Sequence, residues 1–221
     1  MFKLDNPIVL FFNKIADIIF LNLLALVCSI PIITIGASWT ATYYVTVKMV
    51  RGEESYIWKD FFKSFKQNFL QATAIWLINI AVIAVLLADM YIMANGLIKQ
   101  APKFLYVVAL FTGIVVLIVM VYVYPVLSHF ANTIGKTIKN ALLLAVANLP
   151  YTVLFVVLTF GPLAIMFVPS IGLRVLPIYI LIGIAGPAYL ASVGWRRIFD
   201  RLDPNKDQGD DDGQEESQES K

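Results

Sequence analysis

The stretch FLYVVALFTGIVVLIVMVYVYPVLSHFANTIG, residues 104–135, contains no Lys, Arg, Asp or Glu over 32 residues. A helix needs about 20 mostly apolar residues to cross the hydrocarbon core of a membrane, so this stretch alone is long enough for one crossing. Four more charge-free runs lie on either side of it, at 18–47, 67–88, 140–173 and 175–195. Five such runs predict a protein that crosses the bilayer several times.

Composition supports the same conclusion. Of 221 residues, 59% are apolar and only 14% are charged, and the mean hydropathy is +0.78. Soluble domains are about 45–50% apolar and about 25% charged. The runs do not alternate in polarity, which argues against a membrane β-barrel. We therefore expect an all-α, polytopic transmembrane helical bundle, formed as a single domain by residues 1–202.

The number of crossings depends on how residues 7–50 are divided. A single span near 16–36 gives five crossings and places 12 of the 17 basic residues on the cytoplasmic side. Six segments place 14 of 17 there, with both termini cytoplasmic, and the positive-inside rule favours this topology. The six segments lie near 8–30, 38–51, 70–94, 104–127, 150–169 and 176–196. The second is only about 21 Å long, so it either crosses obliquely inside the protein or re-enters without crossing.

A proline and a glycine mark a break between the first two segments. Broken helices expose backbone polar groups, which a membrane tolerates only against protein or a water-filled cavity. Transporters use such breaks to bind substrates. A hairpin turn near the outer surface, where this topology places the bend, explains the break equally well. The candidate residues for a substrate cavity are Pro31, Thr34, Gly36, Thr40, Tyr43 and Tyr44.

Residues 56–69 form a predicted amphipathic helix at the cytoplasmic interface, with aromatic side chains on one face and lysines on the other. Its lysines would attract anionic lipid, and a protein partner is the alternative occupant. The candidate partner or lipid surface comprises Trp58, Phe61, Phe62, Lys63, Phe65, Lys66 and Phe69. Trp195 is interpreted as an interfacial anchor at the end of the last helix. The acidic tail, 203–221, lacks aromatic residues and is expected to be disordered.

Residue types that carry chemistry are scarce. The chain has one histidine, His129, interpreted as a solvated residue at a helix end, and one cysteine, Cys28. A metal site built from histidines or thiolates therefore has too few ligands. The phosphate-binding loops and the HExxH zinc motif are absent from the sequence. We expect no enzymatic activity, no catalytic or metal-binding residues, no cofactor and no nucleic-acid partner.

Several short motifs are similar to one known family. They are Asn22-Leu23-Leu24, Ser29-Ile30-Pro31, Thr34-Ile35-Gly36, Tyr43-Tyr44, Arg51-Gly52-Glu53-Glu54 and the run FFKSFKQNF at 61–69. In these the chain resembles the YesL family of bacterial membrane proteins, a domain of unknown function that is widespread in Gram-positive bacteria. The resemblance implies a bacterial cell-membrane location and an association with genes for carbohydrate uptake and degradation.

Three functional hypotheses follow. The leading one is a non-enzymatic accessory component or subunit of a bacterial carbohydrate uptake system, for which the partners are the lipid bilayer and a carbohydrate transporter complex. The second is an autonomous small transporter with a cavity at the broken helix 31–36. The third is a structural or regulatory protein that acts by membrane assembly alone.

Overall fold

A computed structural model describes residues 7–53, 56–95, 103–130 and 132–202, which are almost entirely helical. Its α-helices are α1 (Pro7–Ser29), α2 (Ile35–Arg51), α3 (Ile57–Ala94), α4 (Lys103–His129), α5 (Ile134–Ala147), α6 (Leu149–Met166), α7 (Gly172–Ile182) and α8 (Ala185–Leu202). A 3-10 turn, Ile32–Thr34, joins α1 to α2. The predicted all-α class is confirmed. The acidic tail, 203–221, lies outside the described residues.

Helices able to cross a membrane make up most of the molecule. Helices α1, α3, α4 and α6 are each long and apolar enough, and α7 with α8 supplies a fifth span that is bent by 59°. In the most apolar part of α1, α3, α4 and α6, between 11% and 22% of the residues are buried within the protein. Their remaining apolar side chains face outward, as expected of surfaces that contact lipid. The structure therefore supports a multi-pass membrane protein.

Helix α2 lies in the middle of the bundle, against α1, α3, α4 and α8. Eleven of its 17 residues are buried, including Ser38, Thr40, Thr42 and Thr46. A buried hydroxyl is costly unless it is hydrogen-bonded. The Ser38 hydroxyl donates to the Ala25 carbonyl of α1 at 2.9 Å, and the Thr46 and Ser192 hydroxyls lie 2.7 Å apart. Contacts with protein thus account for the buried hydroxyl groups of α2.

Helix α2 runs antiparallel to only the first half of α3. Lys48 forms an ion pair with Asp60 near the start of α3, at 3.0 Å. At the other end of α2, Gly36 packs directly against Ala72 and Trp76. Helix α2 is about 26 Å long and α3 about 57 Å, so α2 cannot reach the far end of its neighbour. The bend therefore lies beside the beginning of the predicted crossing 70–94, not at its outer end, and this contact favours the re-entrant alternative for 38–51.

Two predicted segments differ from the observed helices. The amphipathic stretch 56–69 is not a separate element, because α3 contains no Gly or Pro and continues unbroken from Ile57 to Ala94. The predicted crossing 176–196 is divided between α7 and α8. Pro187 explains the division, since its ring clashes with the carbonyl four residues earlier, at Gly183, and it has no N–H to donate.

Candidate functional site

Protein contacts fill the predicted break at 31–36. The Thr34 hydroxyl donates to the carbonyls of Cys28 at 2.6 Å and Pro31 at 2.7 Å, and does not cap α2. The indole N–H of Trp76 donates to the Ile32 carbonyl at 2.7 Å. A Cβ added to Gly36 would lie 2.5 Å from the Ala72 carbonyl oxygen, so only glycine fits there. The break therefore serves as a tight hairpin turn packed on α3.

The other three candidate residues of that site point to different places. Thr40 is buried, and its hydroxyl donates to the Gly36 carbonyl of its own helix. Tyr43 is buried and borders a cavity of about 30 Å³ enclosed by α2, α6 and the α7–α8 break. That volume suits about one water molecule and is far too small for a sugar. Tyr44 borders a different space at the end of the bundle. The structure therefore does not bring the six residues together.

A second break, between α7 and α8, has a dedicated polar partner. The side-chain amide of Asn22 on α1 is fully buried against it. Its Nδ2 donates to the Ile180 carbonyl at 2.8 Å and to the Tyr179 carbonyl at 3.3 Å. Its Oδ1 accepts from the N–H groups of Ile184 at 2.7 Å and Ala185 at 2.8 Å.

Asn22 supplies hydrogen-bond partners for backbone groups that an interrupted membrane helix leaves unpaired. Helix ends leave unpaired carbonyls and N–H groups, which need partners away from water. One asparagine supplies a donor to the end of α7 and an acceptor to the start of α8. This break was not predicted from the sequence, although the spacing of Gly183 and Pro187 was the available signal.

The aromatic face of 56–69 packs mainly onto the protein and not into the lipid headgroups. Phe61 is fully buried in a cluster with residues of α1 and α2, so it does not belong to a partner or lipid surface. Phe62, Phe65 and Phe69 are partly buried beside it. Two aromatic residues of the stretch remain exposed, Tyr56 at 75% and Trp58 at 59% of their surface. Phe61 is buried because α2 turns back against this face of α3.

Two further residues lie deeper than the sequence suggested. Trp195, interpreted as an interfacial anchor, is fully buried between Phe155 and Phe199, with ring centroids 4.8 and 5.3 Å away. His129 is half-buried and stacks on Phe199 at 4.2 Å with nearly parallel rings, so it is not simply solvated. Within the described ranges, no group of three His, Cys, Asp or Glu residues could hold a metal ion.

A large polar space lies at the end of the bundle where α3 begins and α4 ends. We call it the basic groove. It has a volume of about 830 Å³, and its walls include Tyr44, Lys63, Lys66, Gln71, His129 and Thr133. This volume falls within the usual range of about 300–1,000 Å³ for ligand pockets. The groove brings together Tyr44, which was a candidate for the substrate cavity, and Lys63 and Lys66, which were candidates for the partner or lipid surface.

Ion pairs tie together the helices around this end. In addition to the Lys48–Asp60 pair, Arg51 of α2 contacts Asp200 of α8 at 2.9 Å, and Arg196 contacts the same carboxylate at 3.6 Å. Surface ion pairs contribute about 0–1 kcal/mol each, and these pairs are only partly exposed. Their main effect is to neutralise these basic groups within the protein.

Comparison with known proteins gives one match. The family model described as "Protein of unknown function, DUF624" matches residues 18–90, about a third of the chain. The match spans the second half of α1, all of α2 and most of α3, including the bend and the lysine wall of the basic groove. Over these residues it confirms the resemblance to the YesL family, whose members contain this domain. Neither the curated proteins nor the solved structures yield a match.

Proposed function

We propose that this DUF624-containing membrane protein is a non-enzymatic accessory component of a bacterial carbohydrate uptake system. It lies in the bacterial cell membrane with both termini in the cytoplasm, and it binds a membrane subunit of that system through the first turns of α3. The carbohydrate assignment rests on what the family resemblance implies. The site assignment rests on the exposed side chains at the start of α3.

Exposed aromatic side chains beside lysines carry the proposal. Tyr56 and Trp58 are 75% and 59% exposed, and Lys59 follows them on the surface. The Trp58 ring packs on Phe62 with centroids 4.6 Å apart, which restrains its position before a partner binds. Tryptophan and tyrosine are enriched among residues that dominate binding energy at protein interfaces. The adjacent lysine favours a partner with an acidic cytoplasmic segment.

The matched test compares the two ends of α3. Trp58→Ala changes the proposed contact, and Tyr91→Ala removes an equally exposed aromatic residue near the opposite end of the helix. We expect a sugar-transport subunit to co-purify with the wild type from native membranes after mild crosslinking. Loss of an interface tryptophan costs about 2–4 kcal/mol, so recovery with Trp58→Ala should fall at least about tenfold. No transport subunit with wild-type protein, or equal loss with Tyr91→Ala, would contradict the proposal.

One observation favours an autonomous transporter as the second candidate. The α7–α8 span is discontinuous, and discontinuous helices form the binding sites of many transporters. Here the relevant site would be the α7–α8 break, where the bordering cavity of about 30 Å³ must widen before it can admit a sugar. The measurement is flux of a panel of radiolabelled sugars into liposomes that contain the purified protein. Saturable uptake that Asn22→Leu abolishes would favour this candidate, and no uptake by folded protein would remove it.

A further inference from the structure

The lysines of the basic groove differ from three basic residues on the neighbouring helices at this end of the molecule. Lys48, Arg51 and Arg196 each form an ion pair with an aspartate. Lys63 and Lys66 form none with any carboxylate of the described chain. They are three residues apart on α3, so both project from the same side of the helix. The groove therefore has two positive charges without a counter-ion from the described residues.

The other walls of the groove provide hydrogen-bond donors and no acid. Among its described lining residues there are amides, hydroxyls and an imidazole, but no aspartate or glutamate. The Gln71 amide donates to the Asn132 carbonyl at 3.1 Å, which holds the wall of α3 against the connection between α4 and α5. The groove is thus a formed space between three helices and not a patch on one helix surface.

Helix α5 adds a smaller positive contribution. It begins at Ile134, directly after Thr133 in the groove wall, and the Thr133 side chain makes no capping hydrogen bond. The first-turn N–H groups of a helix carry partial positive charge and favour anions. Together with the two lysines, the N-terminus of α5 makes the groove suited to a negatively charged group with several acceptor oxygens.

We infer that the basic groove binds a phosphate group through Lys63 and Lys66. The position of the groove allows two sources of that phosphate. It lies along α3 at 63–71, immediately before the apolar part of the helix, which is the level of lipid headgroups in a membrane. A groove of about 830 Å³ also admits a phosphorylated molecule from the cytoplasm. This inference does not depend on the proposed partner, because the site is complete in one chain.

The experiment uses the purified full-length chain with no transport subunit present, so its outcome is separate from that of the partner test. One arm titrates inorganic phosphate into protein in phosphatidylcholine nanodiscs by calorimetry. The other arm counts phosphatidylglycerol molecules retained by the protein in native mass spectrometry. Saturable binding in the first arm identifies free phosphate as the source, and binding only in the second identifies a lipid headgroup.

Three variants make the test specific. Lys63→Gln with Lys66→Gln should weaken binding at least about tenfold, because hydrogen bonds to charged groups are stronger than neutral ones. Lys63→Arg with Lys66→Arg keeps both charges and should retain binding. Lys59→Gln removes the same charge from the same helix outside the groove and should leave binding within about twofold of the wild type. No saturable binding in either arm, or equal weakening by Lys59→Gln, would overturn the inference.

Discussion

Replacing Asn22 by leucine removes the polar link across the α7–α8 break while keeping a side chain of similar size. Two N–H groups, of Ile184 and Ala185, lose the acceptor that lies within 2.8 Å of both. The Ile180 carbonyl loses its donor from the same side chain. An unpaired buried polar group costs about 1–3 kcal/mol, so the two N–H groups alone account for about 2–6 kcal/mol.

The free-energy cost is smaller in a membrane. Hydrogen bonds between membrane helices average about 0.6 kcal/mol in double-mutant cycles, with values up to about 1.7, because the unfolded chain in the bilayer also finds partners. We therefore expect a destabilisation of about 2–4 kcal/mol for Asn22→Leu. For a chain of this size, about 2–4 °C of melting temperature corresponds to each kcal/mol, so the melting temperature should fall by about 4–16 °C.

The assay is thermal unfolding of purified protein in mild detergent, followed by intrinsic fluorescence. Asn95→Leu is the matched control, because Asn95 is exposed and, among the described residues, its amide donates only to the Tyr91 carbonyl one turn earlier. A surface change of this kind should alter stability by less than about 0.5 kcal/mol. If Asn22→Leu melts within 2 °C of the Asn95→Leu control, Asn22 does not hold the break together, and our account of that span is wrong.

Three other predictions follow from the packing. Gly36→Ala should cost about 1–3 kcal/mol in the unfolding free energy, because α2 and α3 must separate to admit the methyl group, whereas Gly135→Ala, with open space around it, should be neutral or slightly stabilising. Phe61→Ala should cost about 3–5 kcal/mol in the same unfolding assay, as a core residue does; a cost below 1 kcal/mol would mean that Phe61 is a surface residue after all. In a background lacking the native cysteine, Asn95→Cys should react with an impermeant maleimide added outside intact cells, and Ile32→Cys should not. Labelling of both would show that the bend between α1 and α2 lies at the outer surface.

Much of the architecture could be predicted because it depends on local composition. A run of 20 or more apolar residues without charge is most stable in the hydrocarbon core of a membrane. A helix pairs its backbone N–H and C=O groups there without water. The charge-free runs therefore predicted the helices that could cross the membrane, including α4 and α6, with boundaries close to those observed. The break between α1 and α2 was equally local, since Pro31 and Gly36 mark it in the sequence.

The contents of the candidate sites could not be predicted in the same way. Amphipathic periodicity places Phe61 and Trp58 on a different helix face from the lysines. It does not show whether lipid or protein covers each ring. That outcome depended on the length of α2, which brings its side chains against Phe61 and leaves Trp58 exposed. The same holds for Asn22, whose partners on α7 and α8 are about 160 residues away along the chain.

The sequence by itself determined that this chain is helical and belongs in a membrane, because the transfer of apolar residues out of water depends on composition and not on neighbours. Only the tertiary structure decided which polar groups are satisfied internally and which remain available. Asn22 has its hydrogen-bond partners on α7 and at the start of α8, whereas Lys63 and Lys66 face an open groove with no carboxylate among its described lining residues. The physical reason is that hydrogen bonds and ion pairs act over a few ångströms, so they depend on how distant segments pack.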